Sequence, residues 1–445
     1  MKGNQPQQGQ ISYMAPHLSN ICDPKHPLRI LAEKIPWDYF ERELASLYSH
    51  TGKPAMPIRL MTGLLILKQM NGLGDETVVE KWVENPYFQY FTGEAEFQWR
   101  LPFDPSDFVH FRKRIGVEGV EKILQVSIAL HGKKAMEKEI VIDTTVQEAN
   151  ITFPTDSKLH SKIIDQCVKI AKVEGVALRR SYKRTVKKHI MAQRFRRHPK
   201  NRKRALSSAR QLKTIAGRLL RELERKLSVE QKNRIKEKLA LFQRVLQQRQ
   251  NDKKKIYSLH EPGTCCIGKG KEHKKYEFGL KASIALTRNS GIAVGALCFS
   301  NNPYDGHTLP EVIKQVGALR GSSPTGAICD RGYRGKSKID ETRVFTPKSP
   351  RKNATAYEKR KARMRFRRRA GIEPIIGHLK KQFGLGRNFL KGNDGSMMNV
   401  MLAAAAFNFK KLMRAWALLC VWILRWILPE KINQSYQGSL SEASS

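Results

Sequence analysis

Apolar positions recur at two periods along this chain, and the switches between them mark its parts. Residues 1 to about 27 are polar with scattered prolines and read as a flexible lead-in. From 28 to about 135 the period is helical. Residues 57–70 are apolar on nearly every side, which predicts a mostly buried helix. Gly72-Leu73-Gly74 ends it, and Asp75 stands where it can cap a second helix through Glu84. Helix, glycine turn, helix is the outline of a helix-turn-helix, although any small helical bundle shows it too. Asp104-Pro105-Ser106-Asp107 introduces a short helix with Phe108, Phe111 and the basic run Arg112-Lys113-Arg114.

The period shortens at residues 139–153, the first clear strand, and then turns helical again. Leu212, Ile215, Leu219, Leu223 and Leu227 recur every three or four residues. Ser228-Val229-Glu230-Gln231 fits a capping box, and Ile235, Leu239, Phe242 and Leu246 repeat the spacing. These predict an antiparallel helical pair with apolar seams and basic outer faces. Strands return at 278–287 and 291–299, joined by the turn Arg288-Asn289-Ser290-Gly291. A helix at 309–319, strands at 326–330 and 343–346, a basic helical segment at 354–383 and an apolar helix at 397–416 follow. The order predicts an α/β fold in five parts. They are the lead-in, an all-helical N-terminal domain (28–135), a core split between 136–156 and 256–412, a basic helical insertion (157–255) after the core's first strand, and an apolar helix with a disordered polar tail (413–445).

Charge changes the picture. The chain holds 82 Lys+Arg against 40 Asp+Glu, a net charge of +42. Residues 1–140 carry 17 of each sign, so the whole surplus lies beyond them. Residues 151–260 hold 32 basic and 8 acidic side chains, and residues 351–370 hold 10 and 1. Such a surplus points to a polyanion, nucleic acid first and an anionic membrane surface second. The longest apolar stretch, 415–424, is bracketed by Arg414 and Arg425 and is too short for a membrane span. It reads as a helix packed on the protein or on a second subunit. Seven cysteines without a CxxC pair suggest a reducing compartment, and with a polar start that lacks a signal peptide they point to the cytoplasm.

Three carboxylates are the candidate chemistry. Asp143 closes the apolar run Ile140-Val141-Ile142, and Asp330 closes Gly326-Ala327-Ile328-Cys329. Both runs read as buried strands that end by presenting a carboxylate at a rim. Glu373 follows Arg367-Arg368-Arg369 in the basic segment. Two strand-end aspartates and a helical glutamate form the ligand set of a two-magnesium phosphodiester site. On one continuous helix Phe366, Arg369, Glu373 and Lys380 share a face. Alternatively, Pro374 starts a new helix with Glu373 near its cap.

The local motifs resemble those of bacterial insertion-sequence DDE transposases. Asp143-Thr144-Thr145-Val146-Gln147-Glu148-Ala149-Asn150 is similar to that family's first-aspartate motif, and Cys329-Asp330-Arg331-Gly332-Tyr333-Arg334-Gly335 to its second. Phe366-x2-Arg369-x3-Glu373-x6-Lys380 resembles the family's Tyr-x2-Arg-x3-Glu-x6-Lys element, with Phe366 in place of Tyr. Asp305-Gly306-His307-Thr308-Leu309 resembles a segment of the fifth insertion-sequence family and its relatives. The likeness spans most of residues 28–412. It implies an RNase H-like catalytic core and two Mg²⁺ ions, or Mn²⁺, held by Asp143, Asp330 and Glu373. It also implies cutting and joining of double-stranded DNA at terminal inverted repeats and target sites, by a homodimer or higher oligomer.

Arg331, Arg334, Arg369, Lys380, Arg112 and Lys113 are then candidate DNA contacts, with His307 and Tyr333 as auxiliary residues. Two other readings share the same features: a catalytically silent DNA-binding descendant of a transposase, and a junction-resolving endonuclease with the same core.

Overall fold

The computed structural model describes residues 17–48, 51, 55–249, 251–268, 274–335, 337–347 and 354–427, with side chains up to 417. The chain divides into two compact units, each taken here over its described residues. The first comprises Met1–Gln147, Lys281–Phe299 and Pro303–Ser445, the second Glu148–Leu280 and Ser300–Asn302.

The strands are β1 (Glu139–Ala149), β2 (Cys265–Gly268), β3 (Tyr276–Thr287), β4 (Ala293–Phe299), β5 (Gly326–Ile328), β6 (Lys338–Ile339), β7 (Thr342–Phe345) and β8 (Arg387–Asn388). The sheet of the first unit runs β4-β3-β1-β5-β7-β6, and β8 also pairs with β1. β3 and β4 form an antiparallel hairpin, β5 lies parallel to both β1 and β7, and β6 is antiparallel to β7. Ile140, Val141 and Ile142 are all buried, as a strand covered on both faces requires, so their pattern is continuous rather than alternating. At Gly326 an added Cβ would stand 2.9 Å from the Phe345 ring and 3.3 Å from Glu139 Cγ, so any larger residue would push β5 from its neighbours.

The helices before β1 fall in the same compact unit as the sheet. The helix Ile58–Met70 is buried on nearly every side and needs cover all round. Part of that cover is the long helix Gly392–Ile427, which also packs on Asp107–Ala129 and β4. The segments expected at 397–416 and 413–445 are thus one helix up to Ile427, and the tail beyond lies outside the described residues. A chain of buried amides ties these parts together. Gln69 Nε2 donates to the Phe383 carbonyl at 2.6 Å and to Asn399 Oδ1 at 3.3 Å, and Asn399 Nδ2 donates to Gln147 Oε1 at 2.9 Å.

β4 stands at one end of the sheet order, and buried side-chain amides satisfy its backbone at Ala293 and Ala296. Asn408 accepts from the Ala293 N–H at 2.9 Å and donates to its carbonyl at 2.8 Å. Gln315 does the same for Ala296, at 2.8 and 3.3 Å.

Other expectations are corrected. Residues 17–27 are ordered rather than flexible, because Leu18 and Cys22 are buried and the Leu18 N–H donates to the Ala95 carbonyl at 2.9 Å. Residues 1–16 lie outside the described residues. Gly74, not Asp75, is the N-cap of the helix Asp75–Glu84, because the Asp75 carboxylate turns to two cations instead.

The second unit is a helical bundle. Its helices are Asp156–Val173, Lys183–Ala192, Pro199–Lys226, Val229–Arg234 and Lys236–Gln247. The capping box at Ser228 and Gln231 forms as expected. The bundle exceeds the expected pair because Ile163, Ile164 and Cys167 of the first helix fill the same seam as Leu212, Leu219, Leu223 and Phe242. The unit also exceeds residues 157–255, because β2 pairs antiparallel with the first residues of β3, Cys265 opposite Gly279.

Candidate active site

The site grows from the pairing of β1 with β5. Glu139 lies opposite Gly326, Ile140 opposite Ala327 and Val141 opposite Ile328. The pairing ends there; the same register extended two residues further would bring Asp143 opposite Asp330, whose backbone is still extended at φ −81° and ψ −174°. Paired residues of parallel strands project to the same face. Asp143 is not at a strand end, as expected, because β1 runs on to Ala149. The rim at Asp143 exists because β5 stops at Ile328.

Asp330 Oδ1 accepts the Gly332 N–H at 2.8 Å and so closes the 3-10 turn Arg331–Tyr333. A Cβ on Gly332 would stand 2.9 Å from Asp330 Oδ1 and 3.1 Å from Asp305 Oδ2, so these two carboxylates lie within about 6 Å of each other. Asp305 opens the helix Asp305–Arg320. Its Oδ1 accepts from Thr144 Oγ1 at 2.9 Å and pairs with Lys281 Nζ at 2.7 Å. Sequence reasoning passed over Asp305 and chose its neighbour His307. The signal was present in the Asp-Gly-His-Thr segment, at its first residue. His307 is exposed and meets the edge of Tyr304 at 5.7 Å.

The turn after Asp330 folds Tyr333 inward to 1% exposure. Burial pushes the phenol well above its usual range, and Cys329, Asp143 and Asp305 push it further. The hydroxyl makes no hydrogen bond of good geometry, although Thr144 lies within reach and offsets part of the rise. The Cys329 thiol is raised as well, by burial first and then by Asp330 and Asp143, while Arg369 opposes the shift.

Glu373 stands apart, 70% exposed on its side chain. Arg369 lies between it and Asp143, with Nη2 3.7 Å from Glu373 Oε1 and Nη1 4.0 Å from Asp143 Oδ2. The basic segment breaks at Ala370-Gly371 into the helices Ala356–Arg369 and Ile372–Gln382. Pro374 sits in the first turn of the second helix, where its missing N–H costs nothing. Phe366 and Arg369 therefore share one helix, and Glu373 and Lys380 the next. The continuous face is replaced by a corner that Arg369 and Glu373 still bridge. One turn before Arg369, Arg365 pairs with Glu139 at 2.9 Å and stacks on Phe345 at 3.9 Å, which fixes the first helix to the sheet. Among the described residues no three His, Cys, Asp or Glu side chains converge closely enough to hold a metal ion.

Residues 16–114 match a transposase domain (DUF772), and residues 244–409 match the transposase DDE domain. An uncharacterised protein of Rhizobium meliloti, ORF8 in the nfe locus, is 40% identical over 193 residues, 42% of this chain and 93% of that protein. The chain belongs to the insertion-sequence DDE transposases. It is of the type related to the fifth insertion-sequence family. No solved structure matches it.

The transposase presents its expected DNA contacts unevenly. Arg331, Arg334 and Lys113 are exposed, and Lys380 is half-buried. Arg112 is a correction. It is 7% exposed, and both its terminal nitrogens are engaged by Asp75, at 2.9 and 2.7 Å. Helical periodicity puts it on the inward face with Phe108, Phe111 and Ile115, so its guanidinium never reaches the surface. Among the described residues no helix of the transposase is long and apolar enough to cross a membrane.

Proposed function

We propose that this transposase cuts DNA at the ends of its own insertion sequence and joins them to target DNA. In this reading Asp143, Asp330 and Glu373 act at the phosphodiester, with Asp305 beside them. The register of β1 on β5 carries the reading, because its extension two residues past the last paired residues would put Asp143 and Asp330 on one face of the sheet. The strand order β4-β3-β1-β5-β7 supports an RNase H-like core. The first strand is central, an antiparallel hairpin extends one side, and parallel strands extend the other.

The oxygen donors of the three acids suit Mg²⁺ or Mn²⁺. Two such ions, when bound, supply Lewis-acid polarisation and neutralise charge on the reacting phosphate. Asp143, Asp330 and Glu373 would hold them. Arg369 fits this use, because its Nη1 is buried without a hydrogen bond, between Asp143 and Glu373. It neutralises the acids and is free to turn to a phosphate. Arg331, Arg334, Lys113 and Lys380 would grip flanking phosphates, giving salt-sensitive affinity that ignores sequence. Water opens the strand at the element's end, and the freed 3′-hydroxyl attacks the target in line, with no covalent enzyme intermediate. The basic helical unit serves as DNA clamp, dimer platform or both, on an oligomer assembled at the nucleoid.

The test is Mg²⁺-dependent cleavage and strand joining on DNA that carries the element's terminal inverted repeats. Asp143→Asn, Asp330→Asn and Glu373→Gln should keep DNA affinity while cleavage falls by orders of magnitude. Variants that cut at the normal rate would remove these residues from the mechanism.

A further inference from the structure

The helical unit contains a cleft that the proposed chemistry does not use. It measures about 750 Å³, inside the range of roughly 300–1,000 Å³ over which pockets hold small organic groups. Phe153, Ile190 and Phe195 supply apolar wall, while Lys158, Arg194 and Arg196 supply charge, and no carboxylate lines it. Two of the rings resist explanation as core. Phe195 is 79% exposed, and its backbone sits at φ +53°, in the left-handed region that side chains other than glycine rarely enter. Phe153 is 59% exposed and stands T-shaped to Phe278, with 5.4 Å between ring centroids. Among the described residues, neither hydrogen bond nor ion pair engages the side chains of Arg194, Arg196 and Arg197, which also lines the cleft.

Flat exposed rings beside unengaged guanidinium groups suit a ligand that is both aromatic and anionic. A second copy of this unit fits poorly, because residues 151–260 hold 32 basic and 8 acidic side chains and would repel their like. A DNA duplex meets the charge but not the rings, since its base faces already stack on one another. We infer that this cleft binds an unpaired nucleotide of single-stranded DNA. Phe195 and Phe153 stack on the base, and the arginines take the flanking phosphates. The inference borrows DNA as substrate from the proposed function, but not the cutting chemistry.

The test uses the full chain in EDTA at fixed salt, with fluorescence anisotropy on three probes. These are a single-stranded oligothymidylate, a duplex of the same length, and a strand of the same length without bases. One stacked base corresponds to about 5- to 150-fold in affinity. Phe195→Ala is expected to weaken the single strand at least fivefold and to leave the duplex within twofold. Phe195→Trp is expected to bind the single strand at least as tightly as the parent. The parent protein should bind the baseless strand as weakly as Phe195→Ala does. A Phe153→Ala/Phe195→Ala double variant that binds the single strand like the parent overturns the inference. So does a variant that loses single strand and duplex equally while its mass by light scattering drops to the monomer, which assigns the cleft to a second copy. The two readings fail separately, because the anisotropy is read in EDTA, where nothing is cut. Phe195→Ala and Phe153→Ala/Phe195→Ala report on the cleft alone, and the cleavage assay reports on Asp143, Asp330 and Glu373.

Discussion

Asp75 offers the sharpest test of the distinction between structural and DNA-binding cations. It lies between Lys68, 2.6 Å from Oδ1, and Arg112, which reaches both its oxygens. The two cations are only 14% and 8% exposed on their side chains. Asp75→Asn keeps the shape but removes the charge that both cations need. Removing one side of a buried pair costs about 3–5 kcal/mol. The amide still offers one acceptor and Asp75 is 25% exposed, so about 3 kcal/mol is expected here. Arg112→Met spares the Lys68–Asp75 pair and should cost about 1–2 kcal/mol.

With a urea slope of about 3 kcal/mol/M, the unfolding midpoint should fall by roughly 1 M for Asp75→Asn and roughly half that for Arg112→Met. Anisotropy on duplex DNA should find Arg112→Met within twofold of the parent. An unchanged midpoint with a fivefold or greater loss of DNA affinity would refute the structural role. Acid supplies a second arm. Burial alone would raise the Asp75 carboxyl, but Arg112 and Lys68 outweigh it and hold the carboxyl below its ordinary value. The resulting stability is full above the unfolded pKa of about 3.9 and is lost as pH falls through the lower folded value. The gap in midpoint between parent and Asp75→Asn should therefore narrow from about pH 5 downward, and a constant gap down to pH 3 would contradict the assignment.

Two further outcomes are expected. Asp305→Asn removes the charge opposite Lys281, and we expect cleavage at least tenfold slower with duplex affinity within twofold. A parental cleavage rate would make Asp305 part of the scaffold only. Asn408→Ala strands the N–H and carbonyl of Ala293 in a buried site, and takes one donor from the Ser127 hydroxyl, at a cost of about 2–4 kcal/mol read from the urea midpoint. A loss below about 1 kcal/mol would mean that β4 finds other partners.

The strands beside Asp143 and Asp330 were legible because their apolar runs are continuous and short, as those of strands covered on both faces are. The register of β1 on β5 was not legible, since it depends on where β5 stops and on a glycine that admits Phe345. Arg112 was misread because Arg112-Lys113-Arg114 looks like a surface run, whereas helical geometry turns one of the three inward. Asp305 went unnoticed because its partners, Thr144 and Lys281, are remote in sequence. Pro374 announced the break before Glu373, but the ion pair that spans the corner needed coordinates. β2, β6 and β8 are two to four residues long, too short to establish a period.

The helical unit leaves the chain after β1 and returns it in β3, the strand that adjoins β1 in the sheet. Joining two neighbouring strands through so long an excursion looks wasteful, but closure entropy grows only with the logarithm of length, at about 0.6 kcal/mol per doubling. The excursion thus behaves as a replaceable cartridge. Its surface can be rewritten, lengthened or exchanged while β1, β3 and their neighbours in the sheet keep their order, so that the helical unit and the sheet can diverge separately.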